Sequence, residues 1–102
     1  MVDQTDNTTV YTISQLRSII EPYARERGFF WARLFGSYAR GEATGRSDID
    51  VLVDKGPARY LAVCGLADHI YQATGKMVDV IDVSELKPGP FRDAVLREAV
   101  QL

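Results

Sequence analysis

The stretch from Gly36 to Asp54, GSYARGEATGRSDIDVLVD, constrains this chain more than any other. Gly36-Ser37 is followed, after ten intervening residues, by Asp48-Ile49-Asp50 and then by the apolar run Val51-Leu52-Val53. That run, and the one from Trp31 to Phe35 before the glycine, both read as buried strands. Gly36-Ser37 then stands at the exit of one strand, and Asp48 and Asp50 at the entrance of the next. Side chains at i and i+2 of a strand share a face about 6.5–7 Å apart, so Asp48 and Asp50 point one way while Ile49 and Val51 point into the core. Two carboxylates side by side repel each other unless something cationic lies between them, and a divalent metal is the natural candidate. A glycine-serine turn offers backbone N–H groups and a hydroxyl to a phosphate. The local chemistry is that of a metal–nucleoside triphosphate site.

The rest of the chain places this stretch in a small α/β domain. Residues 1–11 read as a polar lead-in, and 12–102 as one domain. A helix starts at Thr12 with Gln15 as capping-box partner, buries Ile13, Leu16, Ile20, Tyr23 and Ala24, and stops at Gly28; Pro22 kinks or splits it. Strand one spans about Phe29 to Phe35, with Trp31 and Phe30 expected in the core. A short helix follows, with Ser37 able to act as its N-cap, and ends near Gly41. Strand two covers about Asp48 to Val53. The second long helix, about Ala58 to Thr74, shows a stripe of Tyr60, Cys64, Ala67, Ile70 and Tyr71 and stops at Gly75. Strand three runs from Met77 to Ile81. A last helix after Pro90 turns Phe91, Val95, Leu96 and Ala99 inward. This order implies a small mixed sheet with helices packed mainly on one face, leaving Asp48 and Asp50 on the open one.

Composition narrows the function. Twelve basic and fourteen acidic residues give a net charge of -2, which argues against a sequence-independent grip on nucleic acid but not against a nucleotide site held by a few arginines. The one cysteine, Cys64, allows no internal disulfide. It reads as a small core residue in a protein of the reducing cytoplasm. No apolar run approaches the roughly 20 residues of a membrane span, and the N-terminal residues lack the apolar centre of a signal peptide.

A third carboxylate is expected on a neighbouring strand, where Asp79 and Asp82 are available. Asp79 is the stronger candidate: it sits between Val78 and Val80, where an acid needs a partner, whereas Asp82 stands at a strand end that suits a cap. Arg40 and Arg46 flank the loop and are placed to neutralise a triphosphate, or equally to face solvent. Lys76 is a weaker phosphate candidate, and His69 has no metal-ligand spacing around it. Leu52 stands where an EF-hand would need its third oxygen ligand, and no Gly-Lys-Ser/Thr of a Walker A loop occurs.

Gly36-Ser37, ten residues, then Asp48-Ile49-Asp50 resembles the signature of the minimal nucleotidyltransferases, the small branch of the DNA polymerase beta-like superfamily. The likeness extends over the Gly75–Val80 segment, Leu86-Lys87-Pro88 and the Phe91–Ala99 helix, and so covers roughly Ile13 to Val100. The resemblance implies the nucleotidyltransferase fold, with Asp48, Asp50 and Asp79 as an acidic triad for two Mg2+ ions and Gly36 and Ser37 binding the triphosphate of ATP. It also implies an antitoxin that transfers AMP onto a tyrosine hydroxyl of a HEPN-domain RNase toxin, with which it forms a hetero-oligomer. Two alternatives stay open. One is an antitoxin that neutralises its toxin by binding alone; the other is the catalytic half of a small-molecule or RNA nucleotidyltransferase. The absence of a second domain in so short a chain favours an acceptor carried by a partner protein.

Overall fold

The computed structural model describes residues 8–102. The elements run α1 (Ile13–Arg27), β1 (Trp31–Phe35), α2 (Gly36–Arg40), β2 (Ile49–Asp54), α3 (Tyr60–Thr74), β3 (Val78–Asp82), a 3-10 turn (Val83–Glu85), α4 (Pro90–Glu98) and β4 (Val100–Gln101). The four strands form one mixed sheet in the order β3-β2-β1-β4. β2 is parallel to β3 and antiparallel to β1, and β4 is antiparallel to β1.

Helix α1 begins where the sequence places it. Gln15 N donates to Thr12 Oγ1 at 3.0 Å while Thr12 N donates to Gln15 Oε1 at 2.8 Å, so two otherwise orphaned N–H groups satisfy each other's side chains. Gly28 closes the helix in the left-handed region. Pro22 neither splits nor ends it: Ile13–Arg27 is one helix with the proline inside. Leu16, Ile20, Tyr23 and Ala24 are buried as expected.

The face of α3 differs from expectation. Its buried residues are Val63, Leu66, Ile70 and Thr74; Ile70 belongs to the expected stripe, but Tyr60, Cys64, Ala67 and Tyr71 lie one step round from the buried face. The aliphatic set packs against the sheet and excludes water. Tyr60, whose hydroxyl keeps a polar partner by donating to Glu85 Oε1 at 2.5 Å, stays half-exposed. Cys64 is exposed rather than buried. Phe30 and Phe91 are also exposed, not core, and of the expected inward residues of α4 only Val95 is buried. β4, too short to show a periodicity, was not expected; Gln101 secures it by donating from Nε2 to the Ala32 carbonyl at 3.2 Å.

Ile49, Val51 and Val53 of β2 face α1 and α3 in a core with Leu16, Ile20, Leu34, Val63, Leu66 and Ile70. The opposite face is less open than the pattern implies. Leu52, two residues beyond Asp50, lies in register between Arg33 and Ile81 and is fully buried. Asp50 and its neighbours on that face, Arg33, Phe35 and Ile81, are partly exposed around it. Of the lead-in, residues 1–7 lie outside the described residues, and the part that follows is tied down: Tyr11 donates from its hydroxyl to the Thr74 carbonyl at 3.1 Å.

Helices α1 and α3 approach closely at Gly65, where a Cβ would stand 2.6 Å from the Tyr23 hydroxyl that donates to the Ala62 carbonyl. Gly65→Ala therefore destabilises the chain in thermal melts, although alanine in a helix interior is ordinarily favoured by about 1 kcal/mol. In a Tyr23→Phe background, with the hydroxyl gone, the same substitution stabilises by about 0.5–1 kcal/mol.

Candidate active site

The site is assembled at one end of the sheet, where β1 leaves into α2 and β2 enters. Asp50 lies in β2 directly opposite Asp79 of parallel β3, and opposite Phe35 of antiparallel β1. Strands so paired are about 4.8 Å apart, and two carboxylates on one face at that spacing repel. Asp48 stands just before β2 and is exposed. Burial, then the charges of Asp79 and Asp48, push the Asp50 carboxyl above the ordinary carboxylate value, with Arg40 pulling the other way. The structure thus brings Asp48, Asp50 and Asp79 into one electrostatic cluster. Asp79 is exposed on an edge strand, so its significance rests on its register with Asp50, not on being an acid buried mid-strand.

Gly36 has no tolerated substitute at this place. Its φ is +70°, a region that penalises a side chain, and a Cβ there would overlap Asp50 Oδ2 and stand 3.1 Å from its Cγ. The carboxylate fills the space that the missing side chain leaves. Ser37 is not the cap of α2. The N-cap position is Phe35, with no side-chain acceptor, and Ser37 lies in the first turn. The first N–H groups of that turn therefore lack a side-chain partner beside Asp50.

The remaining candidates separate clearly. Arg40 is exposed and pairs with Glu42 through Nε at 2.8 Å and with Glu98 at 3.6 Å. Arg46 is exposed on the loop that leads to Asp48. Lys76 is buried, and its Nζ donates to the Gly45 carbonyl at 2.6 Å, so it holds a loop instead of reaching toward a phosphate. His69 contacts the Ile19 carbonyl at 3.1 Å through Nε2 and packs on Tyr23, a structural role. Asp82 is buried and fully engaged: Oδ1 accepts from Lys55 N at 2.9 Å, and Oδ2 from Ser84 N at 3.2 Å and from Ser84 Oγ. Burial alone would push its carboxyl up, but the hydrogen bonds from Ser84 and Lys55 outweigh it and hold the value below the ordinary one. The sequence gives no sign of the Lys76 tether; the Thr44-Gly45-Arg46-Ser47 turn that it holds is visible only as a loop.

The donor set and its repulsion fit a divalent cation, which would relieve both. The rotamers do not form a closed cage: among the described residues no three His, Cys, Asp or Glu side chains converge as metal ligands. No helix among them is long and apolar enough to cross a membrane.

A mixed sheet with paired acids at a strand entrance and a glycine-opened turn beside them fits a nucleotidyltransferase. Residues 18–102 match the family described as Polymerase beta, Nucleotidyltransferase, and the chain belongs to that family. It is 37% identical over 94 residues to protein adenylyltransferase MntA of Thermococcus cleftensis, covering 87% of this chain and 94% of that one. A solved structure described provisionally as a minimal nucleotidyltransferase superposes with a TM-score of 0.74 at 33% identity, covering 92% of this chain and 99% of the other. A toxin–antitoxin structure with AMP-PNP superposes at 0.60 with 27% identity, over 70% of this chain and 60% of that one.

The two carboxyl shifts carry opposite signs for stability. Asp50, raised when folded, is a destabilising charge that is absent below the ordinary carboxylate range and present in full above its raised value. Asp50→Asn therefore raises the melting temperature at neutral pH. Asp82, lowered when folded, stabilises fully above about pH 3.9 and loses that contribution as pH falls through its lowered value. Asp82→Asn costs about 1–3 kcal/mol at neutral pH. Thermal melts from roughly pH 3 to 7 check both, and an Asp50→Asn chain melting at or below wild type would contradict the first.

Proposed function

We propose that this chain transfers AMP from ATP to a hydroxyl, a tyrosine's, on a HEPN-domain RNase toxin, and so acts as its antitoxin. The observation that carries the proposal is the in-register pairing of Asp50 with Asp79 beside the Cβ-free space at Gly36. It puts a concentrated negative charge next to backbone N–H donors, an arrangement that makes sense when a cation and a polyphosphate meet there. The name of the Thermococcus cleftensis relative supports protein adenylylation, and the AMP-PNP complex supports ATP and a toxin partner.

In this mechanism Gly36 and Ser37 receive the triphosphate through backbone N–H groups and the serine hydroxyl, and Arg46 adds positive charge from the loop. Arg40, released from Glu42 and Glu98, adds more. Two magnesium ions bound by Asp48, Asp50 and Asp79 would supply neutralisation of the triphosphate and a lowered pKa for the attacking hydroxyl. Asp79, exposed at the sheet edge, is the carboxylate that an incoming hydroxyl meets, and accepts its proton. The acceptor oxygen bonds to the α-phosphorus as the bond from that phosphorus to the bridging oxygen breaks, and pyrophosphate leaves. The site lies open at the end of a sheet, where a hydroxyl carried by a partner protein can reach it.

The test uses ATP labelled in the α-phosphate, the chain and a HEPN-domain protein as the acceptor. Label appears on the toxin with wild type. Asp79→Ala lowers its rate by at least about 10²–10³-fold, the scale on which one charge-organising group contributes. Asp82→Ala retains most activity at a temperature where it is folded. Tight binding without label would instead indicate neutralisation by contact, and label on a small molecule or RNA alone would indicate another acceptor.

A further inference from the structure

Lys76 stands just before the strand that carries Asp79, yet only 5% of its surface is exposed. A lysine is seldom buried unless specific acceptors hold its ammonium. Its Nζ donates the 2.6 Å hydrogen bond to Gly45 O, in the loop between α2 and β2. Its backbone is fixed as well. Lys76 N donates to Thr74 Oγ1 at 3.1 Å, and Thr74, itself buried, donates from that hydroxyl to the Ile70 carbonyl at 2.8 Å. The side chain thus reaches from the anchored end of α3 to a loop far away in sequence.

That loop is a braced turn. Ser47 N donates to Thr44 O at 3.1 Å, Thr44 N donates to Ser47 Oγ at 2.8 Å, and Arg46 N donates to Thr44 Oγ1 at 3.3 Å. On its other side Gly45 lies so close to Thr8 that a Cβ would stand 2.6 Å from the Thr8 carbonyl oxygen. The turn carries Arg46 and runs directly into Asp48. Its position therefore sets where one acid and one cation of the site stand.

The geometry points to Lys76 as a positioning residue: it fixes the Thr44–Ser47 turn against the start of β3, so that Asp48 and Arg46 are preset for a metal–triphosphate. One side chain thereby joins the segment leading to Asp48 with the segment leading to Asp79. The inference rests on the ATP site proposed above. Without the tether, the turn keeps its internal hydrogen bonds but loses its fixed place, and nucleotide binding must then order it.

The test measures binding of a fluorescent, non-hydrolysable ATP analogue with Mg2+ to the full chain, beside amide hydrogen exchange of residues 44–47. Lys76→Met keeps the apolar stem and removes the donor. It is expected to raise Kd about tenfold and to speed exchange in the turn at a temperature where the fold is intact. Lys76→Arg, which retains donors, recovers most of the affinity. Ser47→Ala loosens the same turn without touching the lysine and weakens binding likewise, so the test stands even if Lys76→Met fails to fold. Wild type binding the analogue while folded Lys76→Met binds it equally well, or, where that variant does not fold, while Ser47→Ala binds it equally well, would overturn the positioning role alone. Wild type binding no nucleotide would overturn the ATP site and this inference with it.

Discussion

The repulsion between Asp50 and Asp79 is the constraint around which this small fold is arranged. Parallel pairing of β2 with β3 puts the two carboxylates opposite each other on one face, with Asp48 adding a third charge from just outside the strand. Nothing in the packing requires this. Val78 and Val80 and the aliphatic residues of β2 hold the strands together on the other face, and they would do so with neutral residues at positions 50 and 79. The charge is therefore a standing destabilisation that the packing does not explain, the pattern expected where function and stability compete.

The surrounding structure accommodates that destabilisation. Gly36 gives the Asp50 carboxylate room that no other residue could leave. Asp82, by contrast, belongs to the frame: its three accepted hydrogen bonds fasten the end of β2 to the turn after β3. Two aspartates three residues apart in one strand thus do opposite work. One is exposed at the sheet edge and faces a charge of its own sign, and the other is buried and satisfied.

Much of this could be read in the sequence, because strand periodicity and turn residues act locally. Thr12 and Gln15 announced α1, Gly28, Gly41 and Gly75 closed their helices, and the Gly-Ser and Asp-x-Asp elements fell at strand ends. What depended on tertiary packing was harder to see. The stripes Tyr60-Cys64-Ala67-Ile70-Tyr71 and Val63-Leu66-Ile70-Thr74 share Ile70 and are both helical in spacing, and only the sheet against which α3 packs chooses between them. Val100 and Gln101 form a strand because β1 offers a free edge, not because two residues carry a pattern. Ser37 looked like a cap because its type fits that role, but the strand-to-helix corner falls two residues earlier. Lys76 looked like a phosphate ligand because its type is cationic, and its long-range bond to Gly45 has no signature in sequence.

The most direct measurement is the NMR spectrum of the isotopically labelled chain titrated with Mg2+ and a non-hydrolysable ATP analogue. The Gly36 and Ser37 amides and the side-chain carboxyl carbons of Asp48, Asp50 and Asp79 should shift together and saturate at one concentration, while Asp82 stays unmoved. Saturable shifts centred elsewhere, or none at the Gly36 amide and the Asp50 and Asp79 carboxyls, would contradict the assignment of these residues to one nucleotide site.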